Sequence, residues 1–187
     1  TVTGVQTCAL PIYPSDAPIP TASNLNYTAG QVIANNVVVK VATDGSGTVD
    51  LFANSGCPDV IVDVVGSFSG GTPAGGGFTG ITPFRAYDSR SGDGCLGASR
   101  VIPIQSVVPG IPGTAVALAL NVTVVTPRAA GYLTAYPTGV PRPPVSTINY
   151  VAGQVVPNGT LLKLGTNGQI TLFANTGCPD VVVDVVG

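Results

Sequence analysis

Apolar and polar residues alternate along much of the chain, and this alternation predicts β-strands. In residues 115–125 the large side chains share one face, and Ala, Asn and Thr occupy the other; the large ones are Val116, Leu118, Leu120, Val122 and Val124. A period of two gives a strand one core face and one small or polar face. Other β-rich segments lie at 131–136, 146–150, 160–164, 169–174 and 180–186.

The connections between these segments carry turn-forming residues. Asn158-Gly159 and Asn167-Gly168 are pairs that readily take the positive φ of tight turns. No segment repeats its apolar residues with the 3.6-residue period of a helix. About eight or nine short strands in roughly 110 residues predict an all-β domain, a β-sandwich of jelly-roll or Greek-key type, with a β-barrel as the alternative.

A long internal repeat organises the chain. SNLNYTAGQV at 23–32 aligns with STINYVAGQV at 146–155, and LFANSGCPDVIVDVVG at 51–66 aligns with LFANTGCPDVVVDVVG at 172–187. A repeat of this length indicates tandem whole domains, since solenoid units are shorter. We predict the C-terminal half of a truncated repeat domain at 13–66, a Gly-rich linker at 67–77 and a nearly complete repeat domain at 78–187.

The first twelve residues do not belong to this pattern. Residues 2–12 read VTGVQTCALPI, which matches codon by codon the translation of a widely used short-read sequencing adapter. We therefore expect residues 1–12 to be an assembly artefact, and Cys8 to carry no biological information. No apolar run reaches the roughly 18 residues of a membrane-spanning helix, so we expect no membrane span in this fragment.

The amino-acid composition excludes several kinds of active site. The chain has no His, Met or Trp, and its nine acidic residues are all Asp. These absences exclude a Ser-His-Asp triad, a Cys-His dyad and a histidine metal site, and we expect no cofactor, no metal and no catalytic residue. The net charge is -2 and the seven basic residues are scattered. Nucleic-acid surfaces need clustered basic residues, so we exclude nucleic acid as a partner.

Four motifs carry a resemblance to a known family. PFRAYDSRSG at 83–92, ALNVTVVTPRAAGYLTAYPTG at 119–139, STINYVAGQVVPN at 146–158 and the closing VVVDVVG resemble the repeats of secreted and cell-surface proteins of actinobacteria. In that family, units of this length occur in tandem or follow a hydrolase or protease domain. An aromatic pair usually follows the family's ending, whereas Ser67-Phe68 stands here. The resemblance implies an extracellular location and neighbouring repeat domains as partners.

Three cysteines remain when Cys8 is set aside. Cys57 and Cys178 occupy the same repeat position, and Cys95 lies in the SGDGCLG loop near the front of the complete copy. We predict a disulfide between Cys95 and Cys178, with Cys57 left unpaired by truncation. Free buried thiols are the alternative. Such a disulfide would indicate an oxidising, extracellular setting.

The few charged residues recur at repeat positions. Asp63 and Asp184 lie in the middle of predicted strands, on the same face as apolar neighbours. A buried carboxylate needs a partner, and Arg85 and Arg90, which flank Asp88, are candidates. We predict a structural ion-pair network of Arg85, Arg90, Asp88 and Asp184 that joins the first strand to the last. A glycoside-hydrolysing pair of Asp88 and Asp184 is the catalytic alternative.

Aromatic residues leave a binding function open. A sugar-stacking platform could form from Tyr27, Tyr132, Tyr136, Tyr150, Phe52 and Phe173, although core packing explains the repeat-equivalent members more simply. We therefore expect a non-catalytic repeat module of a secreted or cell-wall-associated bacterial protein, a spacer, adhesive or targeting unit rather than an enzyme. The alternative is a carbohydrate-binding accessory domain of an exported peptidoglycan or polysaccharide hydrolase, with cell-wall or extracellular polysaccharide as its partner.

Overall fold

The computed structural model describes residues 8–20, 24–64, 66–67, 77–78, 81 and 84–187. The chain divides into two compact units, Thr1–Val62 and Asp63–Gly187. Because residues 63–66 complete the first repeat copy in the sequence, we count them with the first unit, and the second unit means residues 77–187. Most of the predicted linker, residues 68–76, lies outside the described residues, as do the first seven residues of the expected artefact. Each unit is therefore described by itself.

Strands account for nearly all of the regular structure. The first unit contains short strands, which are β1 (Cys8–Leu10), β2 (Ile12–Pro14), β3 (Leu25–Tyr27) and β4 (Val49–Leu51). The second contains β5 (Phe84–Asp88), β6 (Ser99–Ile102), β7 (Ala117–Val125), β8 (Gly131–Pro137), β9 (Ile148–Tyr150), β10 (Val155–Lys163), β11 (Ile170–Ala174) and β12 (Asp180–Val185). The short α1 (Ile104–Val107) is the α-helix of the described part, where no helix is long and apolar enough to cross a membrane.

The second unit is an all-β sandwich, as the alternation predicts. One four-stranded sheet has the order β10-β7-β12-β5, and the other has the order β6-β11-β8-β9. Every strand pair in both sheets is antiparallel. Each connection between consecutive strands crosses from one sheet to the other, except the connection from β8 to β9. Two separate sheets form here, not the closed barrel that was the alternative.

The core lies between the inner faces of the two sheets. On β7 the side chains of Leu118, Leu120, Val122 and Val124 are all buried, so the predicted apolar face does point inward. Val116 is the exception, because it precedes the strand and is 74% exposed. The other sheet contributes buried residues at the same spacing, among them Leu133, Ile148, Ile170 and Leu172. Burial of these apolar side chains is the main stabilising contribution to the fold.

β12 completes its sheet from a central position. It is hydrogen-bonded to β7 on one side and to β5 on the other. Val181, Val183 and Val185 are completely buried, and Val182 on the opposite face is 4% exposed. Removing β12 would therefore uncover an edge of each neighbouring strand as well as part of the core.

The strand pairings of the first unit match part of one sheet of the second, in the same register. The pair Cys8 and Tyr27 of β1–β3 lies 123 positions before the pair Gly131 and Tyr150 of β8–β9. The β2–β4 pairing likewise corresponds to the β8–β11 pairing. Residues 8–12, which we expect to be an artefact, take the positions that 131–135 occupy in the second unit.

Two strands that the repeat predicts in the first unit do not form among its described residues. The segments 32–40 and 59–64 correspond to β10 and β12, yet they have no strand structure. Both β10 and β12 are hydrogen-bonded to β7. The 187 residues contain one β7 sequence, in the second copy. Segments 32–40 and 59–64 therefore have no partner strand within the first unit. The β-propensity of a sequence does not form a strand by itself.

Candidate functional site

The charged residues of β5 and β12 lie together at one edge of the sandwich. Asp184 is opposite Arg85 in the antiparallel register. Arg85 Nε donates to Asp184 Oδ1 at 2.9 Å, and Arg85 Nη2 donates to Asp184 Oδ2 at 3.3 Å. Arg90 Nη2 lies 2.7 Å from Asp88 Oδ2, and Arg85 Nη1 lies 3.6 Å from the same atom. The structure thus places the four residues of the predicted network in one chain of ion pairs.

Asp88 has two roles at this edge. Its Oδ1 accepts a hydrogen bond from Arg90 N at 3.1 Å and so caps the 3₁₀ turn Ser89–Ser91. The hydrogen bonds from the Arg90 guanidinium lower the pKa of Asp88 from 3.8 to about 2. Asp88 is therefore ionised at neutral pH and has no proton to donate. This disfavours it as the general acid of a glycosidase pair.

A buried serine links the same turn to β12. Ser89 is completely buried, and its Oγ donates to Asp180 Oδ1 at 2.8 Å. The same Oγ accepts a hydrogen bond from Val181 N at 3.0 Å. The sequence does not reveal this contact, because a serine that follows a capping Asp is expected only to stabilise the turn. The repeat gave no signal either, since residues 13–66 contain no counterpart of the Ser89 segment.

The Cys95–Cys178 disulfide joins the front loop of the second unit to the start of β12. It connects residues 83 positions apart, with Cα atoms separated by 5.2 Å. Leu96 N donates to Pro179 O at 2.7 Å beside the bridge, and the Leu96 side chain is buried. The disulfide, Ser89 with Asp180, and the Arg85–Asp184 pair together form what we term the β5–β12 cluster.

Every carboxylate of the second unit is engaged by another side chain. Asp88 and Asp184 contact arginines, Asp180 accepts from Ser89, and Asp93 Oδ1 lies 3.4 Å from Arg100 Nη1. The second unit has no other acidic residue. Within the described ranges, no three His, Cys, Asp or Glu residues are grouped in a way that could hold a metal ion.

The repeat counterparts of Cys178 and Asp184 in the first unit lack these partners, although the backbone at the cysteine position is similar. Cys57 has φ 39° and Cys178 has φ 41°. Cys57 is an exposed free thiol. Asp63 corresponds to Asp184, is exposed, and makes no ion pair with any residue that the structure describes. The sequence placed Asp63 on a partly buried face, and that is wrong for the first unit because the strand does not form.

A second cluster lies on the outer face of the β6-β11-β8-β9 sheet. The rings of Tyr132 and Phe173 have centroids 6.2 Å apart, and the Arg142 guanidinium carbon lies 4.2 Å from the centre of the Phe173 ring. Arg142 Nη1 also donates to the Tyr132 hydroxyl at 3.2 Å. Tyr132 and Arg142 also line an open cleft of 360 Å³, together with Pro144, Val145, Ser146 and Asn149. We call this the aromatic cleft.

Tyr150, another tyrosine of the predicted platform, is a core residue, whereas Tyr136 is half-buried. Tyr150 is 3% exposed, and its hydroxyl donates to Thr176 O at 2.7 Å. Burial raises the pKa of Tyr150 to about 12. In the first unit the Tyr27 hydroxyl makes the corresponding contact with Ser55 O at 2.6 Å. Core packing therefore accounts for Tyr150, while Tyr132 and Phe173 face outward.

No described protein family matches the chain. No curated protein is significantly similar to it.

Proposed function

We propose that the chain is a non-catalytic repeat module of a secreted or cell-wall-associated bacterial protein, acting as a structural spacer or adhesive unit. The observation that carries this proposal is the engagement of all four carboxylates of the second unit by Arg or Ser. With no His or Glu in the chain, the acid-base roles that those two residues usually fill would have to be filled by Asp. Carboxylates held in these contacts stabilise the sandwich instead.

The extracellular location rests on the disulfide. Disulfides persist in oxidising compartments and are rare in the cytosol. The Cys95–Cys178 bridge connects the loop after β5 to the segment before β12, next to the strand pairing that joins the front and back of the repeat. The resemblance of the repeats to actinobacterial surface proteins supports the same location, and it supports neighbouring repeats as the immediate partners.

An assay that compares hydrolysis with stability tests the non-catalytic role. The full chain is incubated with peptidoglycan and with soluble polysaccharides, and released reducing ends are measured for wild type and for Asp184→Asn. We expect no hydrolysis by either protein, and a lower urea midpoint for Asp184→Asn because Arg85 loses its bidentate partner. Hydrolysis by wild type that disappears in a folded Asp184→Asn variant would overturn the proposal.

Asp63→Asn is the matched control for that variant. Asp63 occupies the same repeat position as Asp184 and has the same neighbours in the sequence VDVVG. It makes no ion pair with a described residue, so its substitution is expected to leave the urea midpoint unchanged. An equal loss of stability in both variants would contradict a structural role that is specific to the Arg85–Asp184 pair.

The aromatic cleft supports a second candidate function, carbohydrate binding by an accessory domain of an exported hydrolase. Tyr132 offers a ring for a sugar to stack on, while Arg142 and Asn149 offer hydrogen-bond donors beside it. The first unit has Ala9 and Ile19 at the positions of Tyr132 and Arg142, so the cluster belongs to the second repeat.

Retention on insoluble polysaccharide tests this second candidate. The full chain is mixed with purified cell walls, and the bound fraction is compared for wild type, Tyr132→Ala and Arg142→Ala. Carbohydrate binding predicts a roughly tenfold or greater loss of affinity in both variants. Phe52→Ala is the control, because Phe52 is the repeat counterpart of Phe173 in the first unit and does not line the aromatic cleft. No retention of wild type would exclude the candidate.

A further inference from the structure

Arg142 has no carboxylate partner, unlike most arginines of the second unit. Arg85, Arg90 and Arg100 each form an ion pair with an Asp. Arg142 is exposed and forms no ion pair with any residue that the structure describes. The four carboxylates of the second unit are engaged by other side chains, so none of them neutralises this guanidinium. The charge of Arg142 is therefore available to a bound anion.

Two aromatic side chains hold this guanidinium in place. Its central carbon lies 4.2 Å from the centre of the Phe173 ring, and its Nη1 donates to the Tyr132 hydroxyl at 3.2 Å. A guanidinium carries several N–H donors in one plane, and the contact with Tyr132 uses one of them. Among the described residues Arg142 makes no other side-chain hydrogen bond. Most of its donors therefore remain for a ligand, in the planar arrangement that matches a carboxylate.

The loop between β8 and β9 restricts the backbone on both sides of Arg142. Pro141 and Pro143 flank this residue, and a proline fixes its own φ and restricts the residue that precedes it. The loop is also tied to the sheet, because Thr134 Oγ1 donates to Val145 O at 2.7 Å. A side chain that is held in place before a ligand arrives loses little freedom on binding, which lowers the cost of binding.

The groups beside Arg142 in the aromatic cleft suit a sugar ring. Tyr132 lies opposite Asn149 in the β8–β9 pairing, and both line the cleft together with Ser146. An aromatic ring stacks on the apolar face of a sugar, and amide and hydroxyl side chains hydrogen-bond sugar hydroxyls. No residue that lines the cleft is acidic. The cleft thus combines one cation, one aromatic ring and neutral polar groups.

The two repeat copies differ at the position of this cation. Pro141-Arg142-Pro143 corresponds to Pro18-Ile19-Pro20 in the first copy, so both prolines are kept and the arginine is replaced by an apolar residue. Ile19 is 52% exposed, and Arg142 is exposed as well. The loop sequence therefore keeps its prolines without a cation between them, which favours a role for Arg142 in binding a ligand over a role in forming the loop.

We propose that the aromatic cleft binds an acidic sugar, with the Arg142 guanidinium on the sugar's carboxylate and the Tyr132 ring against the face of the sugar. Ser146 and Asn149 hydrogen-bond the sugar's hydroxyls. This inference rests on the carbohydrate-binding candidate above and names the class of glycan, a polymer that contains uronic acids. The cleft distinguishes charge as well as shape, because a neutral sugar forms no charge-assisted pair with the guanidinium.

Two oligosaccharides that differ only in charge test the proposal on the full chain. One is an oligomer of galacturonic acid, and the other is the same oligomer with every carboxylate methyl-esterified. Isothermal titration calorimetry should show about tenfold tighter binding of the acidic oligomer to wild type, because esterification removes the charge-assisted hydrogen bonds. Arg142→Gln should bind the acidic oligomer about tenfold more weakly than wild type does, and should bind the two oligomers equally.

Three controls separate recognition of the sugar from simple attraction between charges. Ile19→Gln is the matched variant, because Ile19 lies between the corresponding prolines, and it should leave both affinities unchanged. Tyr132→Ala should weaken the binding of both oligomers, since the ring contacts the sugar whatever its charge. An oligomer of glycerol phosphate, which is charged but has no sugar ring, should bind wild type more weakly than the galacturonic acid oligomer does.

The outcomes distinguish this inference from carbohydrate binding in general. Equal binding of the two oligomers by wild type, or an Arg142→Gln variant that still prefers the acidic one, would overturn the inference and leave carbohydrate binding in place. Glycerol phosphate that binds as tightly as the acidic oligomer would also overturn it. A wild-type chain that is retained on cell walls but binds neither oligomer has the same meaning. Absence of both retention and binding would exclude the inference and the carbohydrate-binding candidate together.

Discussion

Replacing Cys95 and Cys178 together with Ala should lower the free energy of unfolding of the second unit by about 4.5 kcal/mol. The bridge joins residues 83 positions apart, so it restricts most of the unit when the chain is unfolded. With the relation ΔS ≈ −2.1 − 1.5R ln n, this separation gives about 15 cal/mol/K of lost chain entropy, which is about 4.5 kcal/mol at 25 °C. Typical single domains have about 5 to 15 kcal/mol in total, so the loss is large enough to unfold a marginal one.

Urea unfolding followed by far-UV circular dichroism and tyrosine fluorescence measures this loss. Cys8 and Cys57 are replaced by Ser in both proteins compared, which removes other thiols from exchange. Cys57→Ser alone is the control, and it should leave the midpoint unchanged because Cys57 is exposed and unpaired. A double-Ala variant that loses less than about 1 kcal/mol, with an unchanged dependence on urea, would show that the bridge does not restrict the unfolded chain as argued.

Three further predictions concern single side chains of the second unit. Because folding lowers the pKa of Asp88 from 3.8 to about 2, its stabilising contribution is complete above about pH 4 and is lost as the pH falls towards 2. Urea midpoints from pH 2 to 6 should show this loss, about 1 kcal/mol after solvent screening, and Asp88→Asn should remove it. Ser89→Ala should cost about 2 kcal/mol in thermal unfolding, since it leaves Val181 N and Asp180 without their partner; a loss below 0.5 kcal/mol would contradict that. Spectrophotometric titration should find one tyrosine with a pKa of about 12, absent in Tyr150→Phe, and its persistence there would assign it to another ring.

The sandwich could be predicted from the sequence because β7 alternates strictly and the other strands are short, β-rich segments. Asn158-Gly159, which the sequence placed at a turn, lies instead inside β10, opposite Val122 and Asn121. Residues 117–125 place every second side chain in the core, and 131–137, 170–174 and 180–185 lie within a few residues of the predicted segments. The alternation also predicts that Val116 lies on the core face. This prediction is wrong, because the hydrophobic pattern does not show at which residue the pairing of β7 with β10 begins. The four-residue α1 is too short to produce a helical period in the sequence.

The side-chain clusters could be predicted only where the repeat or charge gave a signal. Arg85 and Asp184 stood out because charged residues are rare in the chain. Ser89 and Asp180 did not, since the contact depends on a turn folding back onto a distant strand. The first unit shows the converse limit, because residues 59–64 have the sequence of a buried strand but lack the neighbouring strands that would bury them.

The alternate crossing of the strands between two sheets has a consequence for how the second unit folds. β5 and β12 lie at opposite ends of the unit, yet they are hydrogen-bonded neighbours, and β7 needs both β10 and β12 to be covered on its two edges. Pairing between such distant segments makes folding slow. A chain that is synthesised from its N-terminus therefore cannot complete this sheet until its final residues, which form β12, are available. Under the extracellular location proposed above, this delay would let the unit cross a membrane as an unfolded chain until its last residues have passed.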